Sequence, residues 1–358
     1  MSERLHNFAA GPGTLPLSVL EEVKAELLVY RDAGASIMEI SHRSGQYSAI
    51  AESARARLRR LLRVGDDWHI LFLQGGASMQ FYQVPLNFLH DGNTAAYVNT
   101  GAWSVKAIEQ AEALGTARVA ASSEATNFDR IPDVESWERF DGTDFVHITT
   151  NNTIYGTQFR HDPQLESPLI ADVSSDFLSR PMALDRYDLV YAGAQKNLGP
   201  AGVTVVMIKN EFLGTRKTNL PAMLDYGVHA SKLYNTPPVF AVYIVEKVLA
   251  WIESIGDLHA MAKRNREKAD LIYNRIDASD FYSGHAQADS RSLMNITFRL
   301  DNEDLEDRFA ADAKKEGLLS LKGHRSVGGI RASLYNACSI ESAAALADFM
   351  SEFERTNG

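Results

Sequence analysis

Ala192-Gly193-Ala194-Gln195-Lys196-Asn197-Leu198-Gly199-Pro200 is the stretch whose reading decides the fold. Tyr187-Asp188-Leu189-Val190-Tyr191 precedes it and Gly202-Val203-Thr204-Val205-Val206-Met207-Ile208 follows. Both flanks are short, nearly continuous apolar runs, which predicts two buried strands. Lys196 therefore stands at the mouth of a strand, among small residues that let a ligand come close. A lone lysine between strands is ordinarily a solvated loop residue. Its neighbours in space, not its own type, have to lift it above that.

Outward from this point the same alternation recurs. A compact apolar run at 69–74 reads as a strand, passes into Gly75-Gly76-Ala77-Ser78, and continues as a helix to about residue 89, with Pro85 placed to kink it. Strand, glycines, helix is the layout that aims helix N–H groups at an anion. A strand at 95–99 runs into Thr100-Gly101-Ala102-Trp103-Ser104 and a helix to about 114. Strands follow at 117–121 and 144–150, separated by polar material containing Trp137. The second opens into Asn151-Asn152-Thr153-Ile154-Tyr155-Gly156, and a short strand from Pro168 stops on Asp172.

Toward the N-terminus, Ser18 and Glu21 have capping-box spacing at the start of a helix whose apolar face is Leu20, Val23, Leu27 and Leu28. Ser41-His42-Arg43-Ser44 precedes a helix over 47–62. Beyond Asn235-Thr236-Pro237-Pro238 the spacing predicts helices over 239–255 and 258–275, then strand 292–300, helix 303–316, strand 329–334 and helix 340–354. The fold class is α/β: a large, mainly parallel sheet domain with helices on both faces, and a smaller α+β C-terminal domain. The expected division is an arm at 1–15, draped over a site or packed on the small domain, a large domain at 16–255 and a small one at 256–358.

At 358 residues the chain suits two domains. Hydrophobic residues at 45% and charged residues at 23% are ordinary for a globular protein. A formal net charge of -10 argues against nucleic-acid or anionic-membrane partners, while leaving room for an anionic small substrate in a cationic cleft. Cys338 is the only cysteine, which excludes an internal disulfide and a multi-thiolate metal site and fits a reducing, cytoplasmic compartment. No stretch resembles a signal peptide or a membrane span.

Ligands of a parallel sheet sit beyond the carboxyl ends of its strands. Gly75-Gly76, Trp103, Thr153, Asp172 and Lys196 all fall just past predicted strands, so one sheet edge would collect them. A lysine can form a Schiff base, and a strand-end carboxylate can keep a pyridinium nitrogen protonated. An indole can stack on a flat ring, glycine amides at a helix start can bind phosphate, and a threonine can hydrogen-bond a phenolate. Together these describe a pyridoxal phosphate site.

On its runs, the chain resembles the phosphoserine aminotransferases, fold-type-I pyridoxal-phosphate enzymes of the class V aminotransferase group. The resemblance spans nearly the whole chain. Its marks include Asn7-Phe8-Ala9-Ala10-Gly11-Pro12, Ser41-His42-Arg43-Ser44, Gln74-Gly75-Gly76-Ala77-Ser78, Asp172-Val173-Ser174-Ser175, Gly193-Ala194-Gln195-Lys196-Asn197, Tyr234-Asn235-Thr236-Pro237-Pro238 and Gly323-His324-Arg325-Ser326. It implies that Lys196 is the Schiff-base lysine and proton shuttle, that Asp172 pairs with the pyridine nitrogen, that Trp103 stacks on the ring and that Thr153 contacts the ring oxygen. Gly76, Ala77 and Gln195 would hold the cofactor phosphate, joined by Asn235 and Thr236 of a second subunit in a homodimer. His42 and Arg43, with His324 and Arg325 from the partner, would receive the substrate phosphate, and Arg331 the α-carboxylate. Some members carry arginine after the second glycine where this chain has Ala77.

The implied reaction is a ping-pong transamination: 3-phosphohydroxypyruvate and L-glutamate give O-phospho-L-serine and 2-oxoglutarate, and the pyridoxine-pathway 4-phosphohydroxy-L-threonine is a further candidate. Two His-Arg pairs plus Arg331 suit a substrate with a phosphate and a carboxylate. An alanine–glyoxylate or serine–pyruvate aminotransferase is the nearest alternative. A cysteine desulfurase would need a mobile cysteine, and Cys338 reads as a packing residue. A dinucleotide-binding oxidoreductase would need a fuller glycine fingerprint after the first strand.

Overall fold

The computed structural model describes residues 4–358, so the first three residues of the expected arm lie outside it. The arm contributes β1 (His6–Asn7), followed by α1 (Leu17–Glu26) and α2 (Gly45–Leu62). Then come β2 (Trp68–Leu73), α3 (Gly76–Phe88), β3 (Thr94–Asn99), α4 (Ala102–Glu112), β4 (Thr116–Ser122) and β5 (Thr143–Thr149). A small hairpin, β6 (Asn151–Asn152) and β7 (Thr157–Gln158), precedes β8 (Leu169–Asp172), β9 (Leu189–Gly193) and β10 (Thr204–Lys209). Short α5 (Asn210–Gly214) and α6 (Tyr226–Ser231) lead to α7 (Val239–Ile255) and α8 (Leu258–Asp277). The chain closes with β11 (Ser283–Gly284), β12 (Asn295–Arg299), α9 (Glu303–Lys315), β13 (Leu318–Leu319), β14 (Ile330–Ser333) and α10 (Ile340–Asn357).

The main sheet runs β2-β10-β9-β8-β5-β3-β4. Neighbours from β9 to β4 are parallel, whereas β10 is antiparallel to both β9 and β2. The mainly parallel expectation holds with that one reversal. The segment between Gly193 and Thr204 is too short for a crossover, so the chain must return antiparallel. Strand side chains alternate between two cores. Phe72, Val98, Ile148, Ala171, Val190 and Val205 face α2 and α7. Leu71, Tyr97, Phe145, Ile170, Tyr191 and Val206 face α3 and α4. Both faces are thus sealed, which leaves the strand ends as the place for a ligand.

A third core joins α8, α9, α10, β12 and β14, and it includes Phe8 of the arm. β1 pairs in parallel with β13, the Tyr335 hydroxyl donates to the Ala10 carbonyl at 2.6 Å, and the Gly13 amide donates to the Gln195 carbonyl at 2.7 Å. The arm therefore packs on the C-terminal layer and also crosses the loop that carries Lys196.

Two local expectations shift. The capping box at Ser18 and Glu21 does not form: α1 starts at Leu17 after Pro16, whose fixed φ of -58° begins the helix with no side-chain cap. Pro85 falls inside α3, as the sequence places it, and has no amide to give the Phe81 carbonyl. The strand expected from 292 starts at Asn295, because the Ser292 hydroxyl accepts from the Met294 and Asn295 amides and turns the chain there.

Candidate active site

Five strands of the main sheet deliver chemistry at one edge. β8 ends on Asp172, which lies in register with Thr149 of β5 and Tyr191 of β9. β9 ends on Gly193, and the next turn carries Lys196. That turn is closed by the Ala194 carbonyl, which accepts from the Leu198 and Gly199 amides at 3.0 and 2.8 Å. Gln195 folds back over Gly193, where a Cβ would come 2.7 Å from its amide oxygen. Glycine at 193 is thus needed for Gln195 to reach the edge.

Asp172 is buried, and its Oδ1 accepts from the Ser174 amide at 2.9 Å. Burial pushes the carboxyl up, while the charge of Lys196 and the Ser174 bond pull the other way. Lys196 shows the converse. Its amine is held below the usual lysine range by burial; Asp172 opposes that, and Arg331 adds to it. A lysine with a lowered pKa is a better nucleophile and proton carrier at neutral pH.

Trp103, in the first turn of α4, places its ring centroid 5.5 Å from Lys196 Nζ. The indole N–H donates to the Thr153 hydroxyl at 3.0 Å. The Thr153 carbonyl in turn accepts from Arg331 Nη1 at 3.2 Å, which brings β14 to the same edge. At the head of α3, Gly75 and Gly76 take φ of 93° and 65°, and an added Cβ on Gly76 would meet nothing within 4 Å. The first amides of α3, including those of Gly76 and Ala77, thus border open space at a helix N-terminus.

The remaining residues divide. The imidazole of His324 is held below the usual range by burial, then by the charges of Arg331, Arg325 and Lys106. His42 lies in a different cleft, lined also by Tyr234 and Asn235, and Asn235 Nδ2 donates to Gln74 Oε1 at 2.7 Å. Arg43 and Thr236 are exposed. β14 reaches its own sheet edge through Arg331, and the loop before it carries His324 and Arg325.

Sequence reasoning missed Lys106, whose ammonium lies 4.8 Å from the Trp103 centroid, and the Ser174 amide on Asp172. The first could have been found from its spacing, three residues after Trp103 on one helix face.

This set fits pyridoxal phosphate. It offers an amine of lowered pKa, a buried carboxylate beside it, an indole face, and an open glycine cradle at a helix start. The class-V aminotransferase family model matches residues 5–346. A phosphoserine aminotransferase of Desulfosudis oleivorans is 55% identical over 363 residues, covering all of both chains. The solved phosphoserine aminotransferase of Bacillus circulans subsp. alkalophilus is 50% identical with a TM-score of 0.98, again over all of both chains. A pyridoxal-phosphate-bound phosphoserine aminotransferase from Trichomonas vaginalis is 36% identical with a TM-score of 0.93, covering 97% of this chain and 100% of that one.

Proposed function

This chain belongs to the class-V aminotransferase family, and from that premise we propose how its residues share out the work of phosphoserine transamination. The activity is pyridoxal-phosphate-dependent: it interconverts 3-phosphohydroxypyruvate and L-glutamate with O-phospho-L-serine and 2-oxoglutarate, in serine biosynthesis. Pyridoxal phosphate supplies the electron sink that makes removal of a Cα proton feasible.

Lys196 would hold the cofactor covalently between turnovers, and its freed amine would carry the Cα proton of the amino acid to the cofactor carbon on the far side of the amino nitrogen. Asp172 would keep the ring nitrogen protonated. Trp103 would cover one ring face, and its bond to Thr153 would hold the threonine hydroxyl for the ring oxygen. The amides at Gly76 and Ala77, with Gln195, bind the cofactor phosphate. Arg331 takes the α-carboxylate of either amino acid in bidentate fashion. His324 and Arg325 take the substrate phosphate, or the side-chain carboxylate of glutamate.

We assign His42, Arg43, Asn235 and Thr236 to the neighbouring site of a homodimer. The support is the cleft that His42 and Asn235 line together and that Lys196 does not, with Arg43 and Thr236 the exposed neighbours of those two in the chain. The same reading treats 16–255 and 256–358 as two domains closing on that site, with the arm across the lysine loop. A four-carbon phosphorylated hydroxy-oxo acid has the same two anionic ends and suits the same cations. No helix among the described residues is long and apolar enough to cross a membrane. A buried Cys338 fits a reducing, cytoplasmic setting.

The observation that carries this reading is one sheet edge that gathers the Lys196 amine, 5.5 Å from the Trp103 centroid, and the buried Asp172 carboxylate at the end of the adjoining strand. Its test is a spectral half-reaction: glutamate should bleach the visible band of the purified holoenzyme and phosphohydroxypyruvate should restore it. Lys196→Ala should lack both the band and turnover; near-wild-type turnover in that variant ends the reading. An alanine–glyoxylate enzyme would prefer glyoxylate over phosphohydroxypyruvate in the same assay, and it would have no use for the cations at 324 and 325.

A further inference from the structure

The chain is acidic, and most of its arginines and many of its lysines stand beside carboxylates, as Arg57 does with Glu246 and Lys247 with Glu26. Among the exceptions is one group at the candidate site. Among the described residues, Lys106, His324, Arg325 and Arg331 have no carboxylate within 4.0 Å. Three of these are already placed in the site. Lys106 is not, and the mechanism leaves it unused.

Its position is specified by a short chain of contacts. Lys106 lies three residues after Trp103 on α4 and sets its ammonium 4.8 Å from that ring's centroid. Trp103 is bonded to Thr153, and Thr153 to Arg331. The charge of Lys106 reaches the His324 imidazole, which it helps to hold in the neutral form. Its side chain is exposed, so the ring positions the ammonium without burying it. Ala77, at the glycine cradle, supplies no cation of its own. Cations placed together without counter-charges repel one another, and an anion bound among them relieves that repulsion.

We propose that Lys106 contacts the phosphate ester of the substrate and sets the preference for phosphorylated over unphosphorylated amino acid. This rests on the phosphoserine reading above. A phosphate monoester carries up to two charges where the side-chain carboxylate of glutamate carries one, and a further cation rewards the phosphate more. The ammonium acts as a mobile point charge beside the planar arginines, so it can follow either substrate without imposing a geometry.

The test compares holoenzyme half-reactions of the wild type, Lys106→Met and Lys106→Arg with phosphoserine, serine and glutamate as amino donors. In Lys106→Met the phosphoserine concentration for half-maximal rate should rise about tenfold, the scale of one charge-assisted contact at a partly exposed site. The limiting rate, and both parameters for serine, should stay near wild type, and the glutamate concentration for half-maximal rate should rise by clearly less than that for phosphoserine. Lys106→Arg should restore most of the loss. The tenfold gap should also narrow at about 0.5 M salt, where screening acts over roughly 4 Å. Unchanged phosphoserine saturation in Lys106→Met overturns the proposal. Equal losses for phosphoserine, serine and glutamate overturn it too, since they would show Lys106 acting only by positioning Trp103. Failure of the wild type to use phosphoserine would instead end the functional reading, which keeps the two apart.

Discussion

The indole N–H of Trp103 donates to the hydroxyl of Thr153 at 3.0 Å, joining the start of α4 to the loop after β6. The bond fixes the plane of the ring and spends the threonine's acceptor side, leaving its proton for a cofactor oxygen. Trp103→Phe and Thr153→Val should each weaken pyridoxal phosphate binding about fivefold, near 1 kcal/mol. The double variant should be little worse than either single one, because both remove the same bond. Titration of the apoproteins with pyridoxal phosphate measures this; fully additive losses would show that the two residues act separately.

Lys196 is pulled in opposite directions by Asp172 and Arg331. An anion nearby favours the ammonium and a cation disfavours it. Asp172→Asn should therefore lower the lysine's pKa further, and Arg331→Gln should raise it. The pH dependence of pyridoxal phosphate capture by the apoproteins reports the amine's ionisation. Midpoints that move in the same direction, or do not move, would contradict the arrangement described here.

Much of this edge was legible in the chain because its parts are local to strand ends. Asp172 closes β8, Gly75 and Gly76 follow β2, and Lys196 follows β9 by three residues. What escaped the sequence joins distant positions. Trp103 and Thr153 are 50 residues apart, Thr153 and Arg331 178, and Ala10 and Tyr335 325, so no periodicity links them. The reversal of β10 escaped because its apolar run reads alike in either direction.

Asp162 ties down the segment that leads into β9. Its carboxylate receives both terminal nitrogens of Arg180, the Ala183 amide at 2.7 Å and the Tyr187 hydroxyl at 2.9 Å. Burial alone would raise its pKa, but these partners outweigh it and hold the group below the ordinary value of 3.8. Its stabilisation is thus complete above that ordinary value and is lost as pH falls through the lower folded one. Asp162→Asn should cost about 3 kcal/mol at neutral pH, since Arg180 is left buried without its partner. Urea unfolding of both apoproteins should show that gap shrinking only in strong acid. A gap that does not depend on pH would assign the loss to packing.

The two His-Arg pairs make opposite predictions for mixed dimers. On the proposed assignment, in which Arg325 serves its own site and Arg43 the neighbour's, the defects combine differently. Mixing Lys196→Ala with Arg43→Ala puts both defects into one site of each hybrid and leaves the other site whole. Random exchange makes about half the dimers hybrid, so about a quarter of wild-type activity should return. Mixing Lys196→Ala with Arg325→Ala damages both hybrid sites, one each, and should return almost nothing. Subunit exchange can be verified with differently tagged chains. If the Arg325 mixture recovers activity and the Arg43 mixture does not, the pairs lie the other way round: the loop at 324–325 then serves the partner's site, and its closeness to Arg331 in one chain is incidental.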